Sequence, residues 1–261
     1  MRIATWNVNS IRARAERVGA FLDRSDVDVL AIQELKAKDS QFPREVFDSR
    51  GYEVAFHGLN QWNGVAIASR VGLADARIGF EGMPGWGEDD AAEARAISAL
   101  CAGVRVHSLY VPNGRELDHP HYAYKLAWLD RLREAVAAEL AADAAARLVL
   151  CGDFNVAPRD EDVWDMAEFE GATHVSQPER DAFQALLDAG LAEVTRAHTP
   201  GAYTFWDYQQ LRFPKKQGMR IDFQLASRAL AERVADARID REERKGKGAS
   251  DHAPVIVDYA D

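Results

Sequence analysis

An α/β fold of four layers, two packed mixed β-sheets flanked by helices, is predicted by three features of the sequence. Short apolar runs of strand length recur from the first residues to the last. Segments with helical apolar spacing lie between them in each half of the chain. The strands also come in adjacent pairs and runs, a pattern suited to two sheets packed face to face. No low-complexity linker or shift in composition divides the 261 residues, so residues 1–261 read as a single domain.

Ile3, Thr5 and Asn7 alternate with Ala4, Trp6 and Val8, a first strand whose end carries the amides Asn7 and Asn9. Ser10 caps a helix to about Asp23, with Ile11, Val18, Phe21 and Leu22 inward. Val27–Ile32 is a buried strand that delivers Glu34 at its end. Phe42–Ser49 reads as a short helix stopped at Gly51, and 52–57 and 65–69 as strands around a loop that presents Trp62. Glu81–Asp90 is a surface loop rich in Gly, Pro and acid. Residues 94–102 and 104–111 form a hairpin around Gly103, with Arg95 on the first strand and Tyr110 closing the second.

Tyr122, Leu126, Leu129, Leu132, Val136 and Leu140 recur at three and four, giving a long amphipathic helix. It leads to Leu148-Val149-Leu150-Cys151-Gly152-Asp153-Phe154-Asn155, a buried strand ending in an acid and an amide. If the chain stays extended there, Asp153 and Asn155 share a side; an Asx-type turn is the alternative. Pro158–Gly171 is acidic and irregular, 178–189 a helix, and 191–195 a short strand. The aromatic stretch 202–208 reads as strand-like, and 219–226 as a strand interrupted by Asp222. Ser227 caps a short helix; 234–239 is a strand, and a charged loop, 241–248, precedes Ser250-Asp251-His252 and a final strand at 255–257.

Composition narrows the chemistry. Hydrophobic residues make up 47% of the chain, enough for a large core, and no run of about eighteen apolar residues offers a membrane span. The two cysteines, Cys101 and Cys151, sit among apolar residues, as expected of a reduced, cytoplasmic protein. A net charge of −10 opposes non-specific attraction to polyanions, so nucleic-acid binding requires local basic groups. Lys36, Lys38, Arg115, Lys215, Lys216, Arg220, Lys245 and Lys247 are the candidates. There is no P-loop and no Gly-x-Ser-x-Gly.

The polar residues at strand ends are Asn7, Glu34, Tyr110, Asp153, Asn155, Asp222, Asp251 and His252. Carboxylates and amides together suit Mg²⁺ or Mn²⁺, which take oxygen ligands. Cysteines within strands and scattered histidines do not make a closed zinc site. His252 needs a carboxylate to orient its ring. Asp222, in an otherwise apolar strand, is that candidate, with a structural pair to Arg220 as the alternative.

Trp6-Asn7-Val8-Asn9-Ser10-Ile11-Arg12, Gln33-Glu34-Leu35-Lys36, Tyr110-Val111-Pro112-Asn113-Gly114, Gly152-Asp153-Phe154-Asn155, Arg220-Ile221-Asp222-Phe223 and Ser250-Asp251-His252-Ala253-Pro254-Val255 occur in that order. Together they resemble the exonuclease III branch of the apurinic/apyrimidinic (AP) endonucleases, in the endonuclease/exonuclease/phosphatase superfamily. The resemblance implies a Mg²⁺-dependent phosphodiesterase, with Mn²⁺ able to substitute, that acts as a monomer on double-stranded DNA bearing abasic sites or blocked 3′ ends. It implies metal ligands among Asn7, Glu34, Asp153, Asn155, Asp251 and His252, with Glu34 foremost. Asp153 then activates or orients the attacking water, Asn155 positions it, His252 oriented by Asp222 donates to the phosphate, and Tyr110 contacts the phosphate or leaving group. Phe205, Trp206, Met219 and Ile221 correspond to the apolar wall for an extruded sugar. Arg95, Asn113, Arg115 and Lys125 correspond to DNA-facing positions, and Met219 stands where some relatives have an aromatic. Thr173-His174-Val175 receives no role. Rival readings are a head-group phosphodiesterase of the same fold and a non-catalytic scaffold.

Overall fold

The computed structural model describes residues 1–87 and 89–260. In chain order the elements are β1 (Arg2–Asn7), α1 (Ile11–Ser25), β2 (Val29–Gln33), α2 (Glu45–Asp48), β3 (Glu53–His57), β4 (Val65–Ser69) and β5 (Ala74–Ile78). β6 (Ala96–Cys101), β7 (Val104–Tyr110), α3 (Pro120–Ala142), β8 (Leu148–Asp153), α4 (Gln177–Asp188) and β9 (Leu191–Glu193) follow. β10 (Asp222–Ser227), α5 (Arg228–Ala231), β11 (Val234–Ile239) and β12 (Val255–Tyr259) complete them.

These strands form two six-stranded mixed sheets, ordered β11-β12-β1-β2-β4-β3 and β5-β6-β7-β8-β10-β9. Each sheet has one parallel pair at its centre, β1 with β2 and β7 with β8, and antiparallel pairs around it. A parallel pair needs a crossover, and the long helices α1 and α3 supply it. The sheets pack through Ile3, Val29, Ala31, Val65 and Ile67 on one side and Ile97, Ala99, Val106, Val149 and Cys151 on the other. Buried amides fasten this interface: Gln33 Nε2 donates to Ser108 Oγ at 3.0 Å, and Gln224 Nε2 to the Ile3 carbonyl at 2.9 Å. Outside the sheets, Trp6, Phe21 and Leu30 form a core with α1, and Trp128, Leu132 and Phe183 form one with α3 and α4. The expected layer architecture is therefore present.

Several boundaries differ from expectation. The 202–208 stretch is not a strand; it is a loop tied by isolated bridges of Phe205 to Met219 and to His252. Its aromatics serve side-chain packing rather than sheet pairing: Phe205 lies against His252 and Trp206 against Phe213. β5 was not expected, because every residue of it is exposed and no alternation marks it. Asp222 opens β10 rather than interrupting it, so its carboxylate lies at a strand end. The 81–90 segment is irregular over its described residues; Glu88 lies outside them. Both cysteines are free and buried. Among the described residues no helix is long and apolar enough to cross a membrane.

Candidate active site

Topology collects the polar strand ends on one edge. The parallel strands β1, β2, β7 and β8 all end there, and β10 begins there because it runs antiparallel to β8. Asn7 pairs in register with Gln33, Tyr110 with Asp153, and Asp153 with Asp222. Glu34 follows β2 directly, and Asp251 and His252 precede β12. Gly152 makes the edge possible: a Cβ there would sit 1.9 Å from the Leu109 carbonyl oxygen of the neighbouring strand. Glu34 and Asn155 adopt left-handed backbone, φ 53° and 51°, uncommon for residues with side chains and frequent where a site dictates geometry.

Glu34, Asp153 and His252 each present a ligand atom, all within 4.8 Å of one another. Asn7 Nδ2 donates to Glu34 Oε1 at 2.8 Å and to Asp153 Oδ2 at 3.0 Å, joining the carboxylates of the two sheets. His252 Nδ1 meets Asp222 Oδ2 at 2.8 Å, and its Nε2 lies 3.8 Å from Asp153 Oδ2. The Asp222–His252 pairing is thus present; Arg220 instead donates to Thr195 Oγ1 at 2.6 Å and to the Thr199 carbonyl. The Asn155 N–H donates to Asp153 Oδ1 at 2.9 Å, so the segment after β8 is an Asx-type turn and a site element at once. Asn155 Nδ2 donates to the Val111 carbonyl, and Asn113 Nδ2 to Asn155 Oδ1.

The electrostatics call for positive charge. Burial raises the Asp153 carboxyl above its usual range, aided by Asp222 and Glu34 and opposed by His252. Burial would lower His252, but Asp222 and Asp153 outweigh it and raise the imidazole, keeping it cationic at neutral pH. Burial likewise opposes ionisation of Glu34; Lys36, with Nζ 2.7 Å from Oε2, outweighs it and lowers that carboxyl. Burial and the Glu34 charge raise the Tyr110 phenol. A buried carboxylate held above its normal range beside other acids fits a divalent cation, which would restore full ionisation. Oxygen atoms of Glu34 and Asp153 are spaced to share one ion.

Other expected ligands are placed differently. Asn7 turns its nitrogen toward the carboxylates, while its Oδ1 accepts the Asn9 N–H at 3.0 Å. Asp251 Oδ1 accepts from Asn9 Nδ2 at 3.0 Å, beside the Glu34–Asp153–His252 group rather than within it. The Asn155 side chain is engaged by Val111 and Asn113.

Of the expected DNA-facing residues, Asn113 and Arg115 are exposed. Arg95 and Lys125 are not. Arg95 is buried, paired with Glu93 at 2.6 Å and stacked 5.0 Å above the Tyr110 ring. Lys125 has no exposed surface and pairs with Glu179. The Phe205 ring lies 4.8 Å from His252 and, with Met219, Trp164, Phe169 and Arg212, lines a cavity of about 160 Å³. Trp206 is buried away from it against Phe213, and Ile221 packs beneath Met219. Trp164, Phe169 and Arg212 carry no signal in the sequence, because they lie in a bend, in a single-turn 3₁₀ helix and at the cap of another, all too short to show an apolar period. Trp62 stands 67% exposed, free to make contacts.

Two sheets sharing a polar edge of carboxylates and an Asp–His pair are the build of a phosphoesterase, and the chain belongs to the endonuclease/exonuclease/phosphatase family, whose sequence profile matches residues 4–252. It is similar over 100% of both chains to the solved 3′-5′ exonuclease NExo from Neisseria meningitidis, at 39% identity and a TM-score of 0.92. A second structure, of the Neisseria 3′ phosphatase NExo, holds a product DNA hairpin. An AP endonuclease from Archaeoglobus fulgidus matches with 35% identity and a TM-score of 0.92 over 99% of each chain. Exodeoxyribonuclease III of Haemophilus influenzae is 29% identical, covering 99% of this chain and 100% of its own.

Proposed function

We propose that this chain is a DNA-repair phosphoesterase that hydrolyses duplex DNA 5′ to abasic sites and removes nucleotides or blocking phosphates from 3′ ends. We further propose that residues 1–261 act as one monomeric catalytic unit in the cytoplasm. The observation that carries the reading is the convergence of Glu34, Asp153 and the Asp222–His252 pair at one edge. All three reactions break the same bond, between phosphorus and the 3′ oxygen, and leave a 3′ hydroxyl. One site therefore serves them all.

Glu34 and Asp153, with Asp251 close by, would hold Mg²⁺ or Mn²⁺, which supplies positive charge to the phosphate and the departing oxygen. Asp153 holds a water in line with the scissile bond and accepts its proton, and Asn155 keeps Asp153 in place. His252, cationic against Asp222, donates from Nε2 to a non-bridging phosphate oxygen. Tyr110, held protonated by burial, donates a hydrogen bond to the phosphate. Phe205 and Met219 receive the sugar beyond the scissile bond, and a missing base reduces the stacking that extrusion must break. Arg115 and Asn113, exposed at the rim, contact the backbone.

The test is turnover of an abasic-site duplex and of a duplex with a 3′-terminal phosphate, with EDTA and then with added Mg²⁺. The expected result is no hydrolysis in EDTA, recovery with Mg²⁺, and products ending in 3′ hydroxyls. Cleavage unaffected by EDTA, or turnover of a phospholipid head group and not of DNA, overturns it.

A further inference from the structure

Lys125, near the start of α3, faces Glu179 of α4, and neither side chain has exposed surface. The desolvation of a buried ion pair can exceed its Coulomb gain, so stability alone is a weak account of this one. Its other partners supply a better one. Lys125 Nζ also donates to the Asn155 carbonyl at 2.6 Å and the Asn113 carbonyl at 3.3 Å. Glu179 Oε1 accepts from Thr173 Oγ1 at 2.7 Å and the His174 N–H at 2.9 Å, and Oε2 accepts from Ser176 Oγ at 2.6 Å. The His174 ring meets the Asn155 carbonyl too.

The two carbonyls gathered by the ammonium belong to the residues whose side chains bond to each other beside Asp153. The Asn155 N–H holds Asp153 while its carbonyl is held by Lys125, so this residue is fixed at both ends. Asn155 holds left-handed backbone, φ 51°, a conformation that its side-chain bonds and the grip on its carbonyl select. Gly114 lets the clamp close: a Cβ there would stand 2.5 Å from Thr173 Oγ1.

We propose that the Lys125–Glu179 pair is a positioning device, clamping the Asn113 and Asn155 carbonyls so that Asp153 and Asn155 keep the geometry that orients the attacking water. This rests on the phosphoesterase reading above. The clamp acts on the chemical step and not on DNA affinity, because Lys125 is walled off from solvent. Thr173 and His174 gain a role here as the roof of the clamp.

Two variants test it. Lys125→Ala opens a slot that ethylammonium fills; Lys125→Met/Glu179→Gln removes both charges at similar volume. Both are expected to lower kcat about 10- to 100-fold, the range for residues supporting an active-site group, with KM for duplex DNA near wild type. Ethylammonium restores Lys125→Ala, and tetramethylammonium at the same ionic strength does not. In the free protein, the Asn155 amide exchanges faster with solvent in both variants, while Leu150 in β8 keeps its protection. Unchanged kcat, or raised KM with unchanged kcat, overturns the proposal. So does loss of protection throughout the core, or unfolding of both variants, either of which makes the pair purely structural. If the wild type does not cleave DNA, the phosphoesterase reading falls while Asn155 exchange still decides the clamp.

Discussion

Asp153 stands where the two sheets meet: Asn7, the Asn155 amide and His252 all converge on it. Asp153→Asn keeps the shape but, on the proposed mechanism, loses the proton acceptor. Its kcat should fall about 10³-fold, the scale of general-base catalysis, while gel-shift binding of duplex DNA persists. Equal loss of both would assign Asp153 a structural role. Asp222→Asn should cost about 10²-fold in kcat, because His252 loses the carboxylate that orients its ring and keeps it cationic; unchanged turnover would contradict this. Glu34 and Asp153 were legible as candidates because an acid just past an apolar run has few structural reasons to be there, and Asp222 and His252 because an acid among apolar residues needs a partner and an imidazole needs a carboxylate to orient it. Lys125 was not, because charge shows in a sequence and direction does not. Its position did hold a signal: Lys125, Leu129, Leu132 and Val136 share the buried stripe of α3, so this lysine points inward with its apolar neighbours.

At the scale of elements, β8 was the clearest strand, buried at every position, and β5 the least, exposed at every position. Burial writes a strand into sequence; an edge strand held by backbone pairing alone leaves no such mark. The close approach of β7 and β8 at Gly152 gives a prediction of its own. Gly152→Ala places a methyl group against the Leu109 carbonyl and must push the central parallel pair apart. Overpacking of this kind costs about 1–3 kcal/mol, read as a lower urea midpoint. An unchanged midpoint would show that the pair yields without strain.

Over the whole molecule, a net charge of −10 must coexist with binding to a polyanion. Lys38, Lys215, Lys216, Lys245 and Lys247 are exposed, as is Arg115 at the site rim. Affinity for duplex DNA should fall linearly in log–log with salt, by roughly 0.9 per phosphate contacted. A flat response would remove the local basic face from the account.

Acid tests His107, which is buried in β7. Burial, with Arg105 and Arg77, pushes it from the ordinary 6.5 to about 3, although a Glu139 oxygen lies 3.7 Å away. Above pH 6.5 neither folded nor unfolded chain binds this proton. Below it only the unfolded chain does, so stability falls as pH drops from 6.5 toward 3, by up to about 1.4 kcal/mol per unit. His107→Leu should flatten that slope in urea melts between pH 7 and pH 5; an identical slope would show that other groups carry it.

If the two sheets meet to hold a divalent cation, it sits between Glu34 and Asp153. Anomalous diffraction from crystals soaked in Mn²⁺ tests this most directly. One strong peak is expected within coordination distance of both carboxylates, absent in Glu34→Gln crystals. A peak elsewhere on the molecule, or one that survives that substitution, would contradict it.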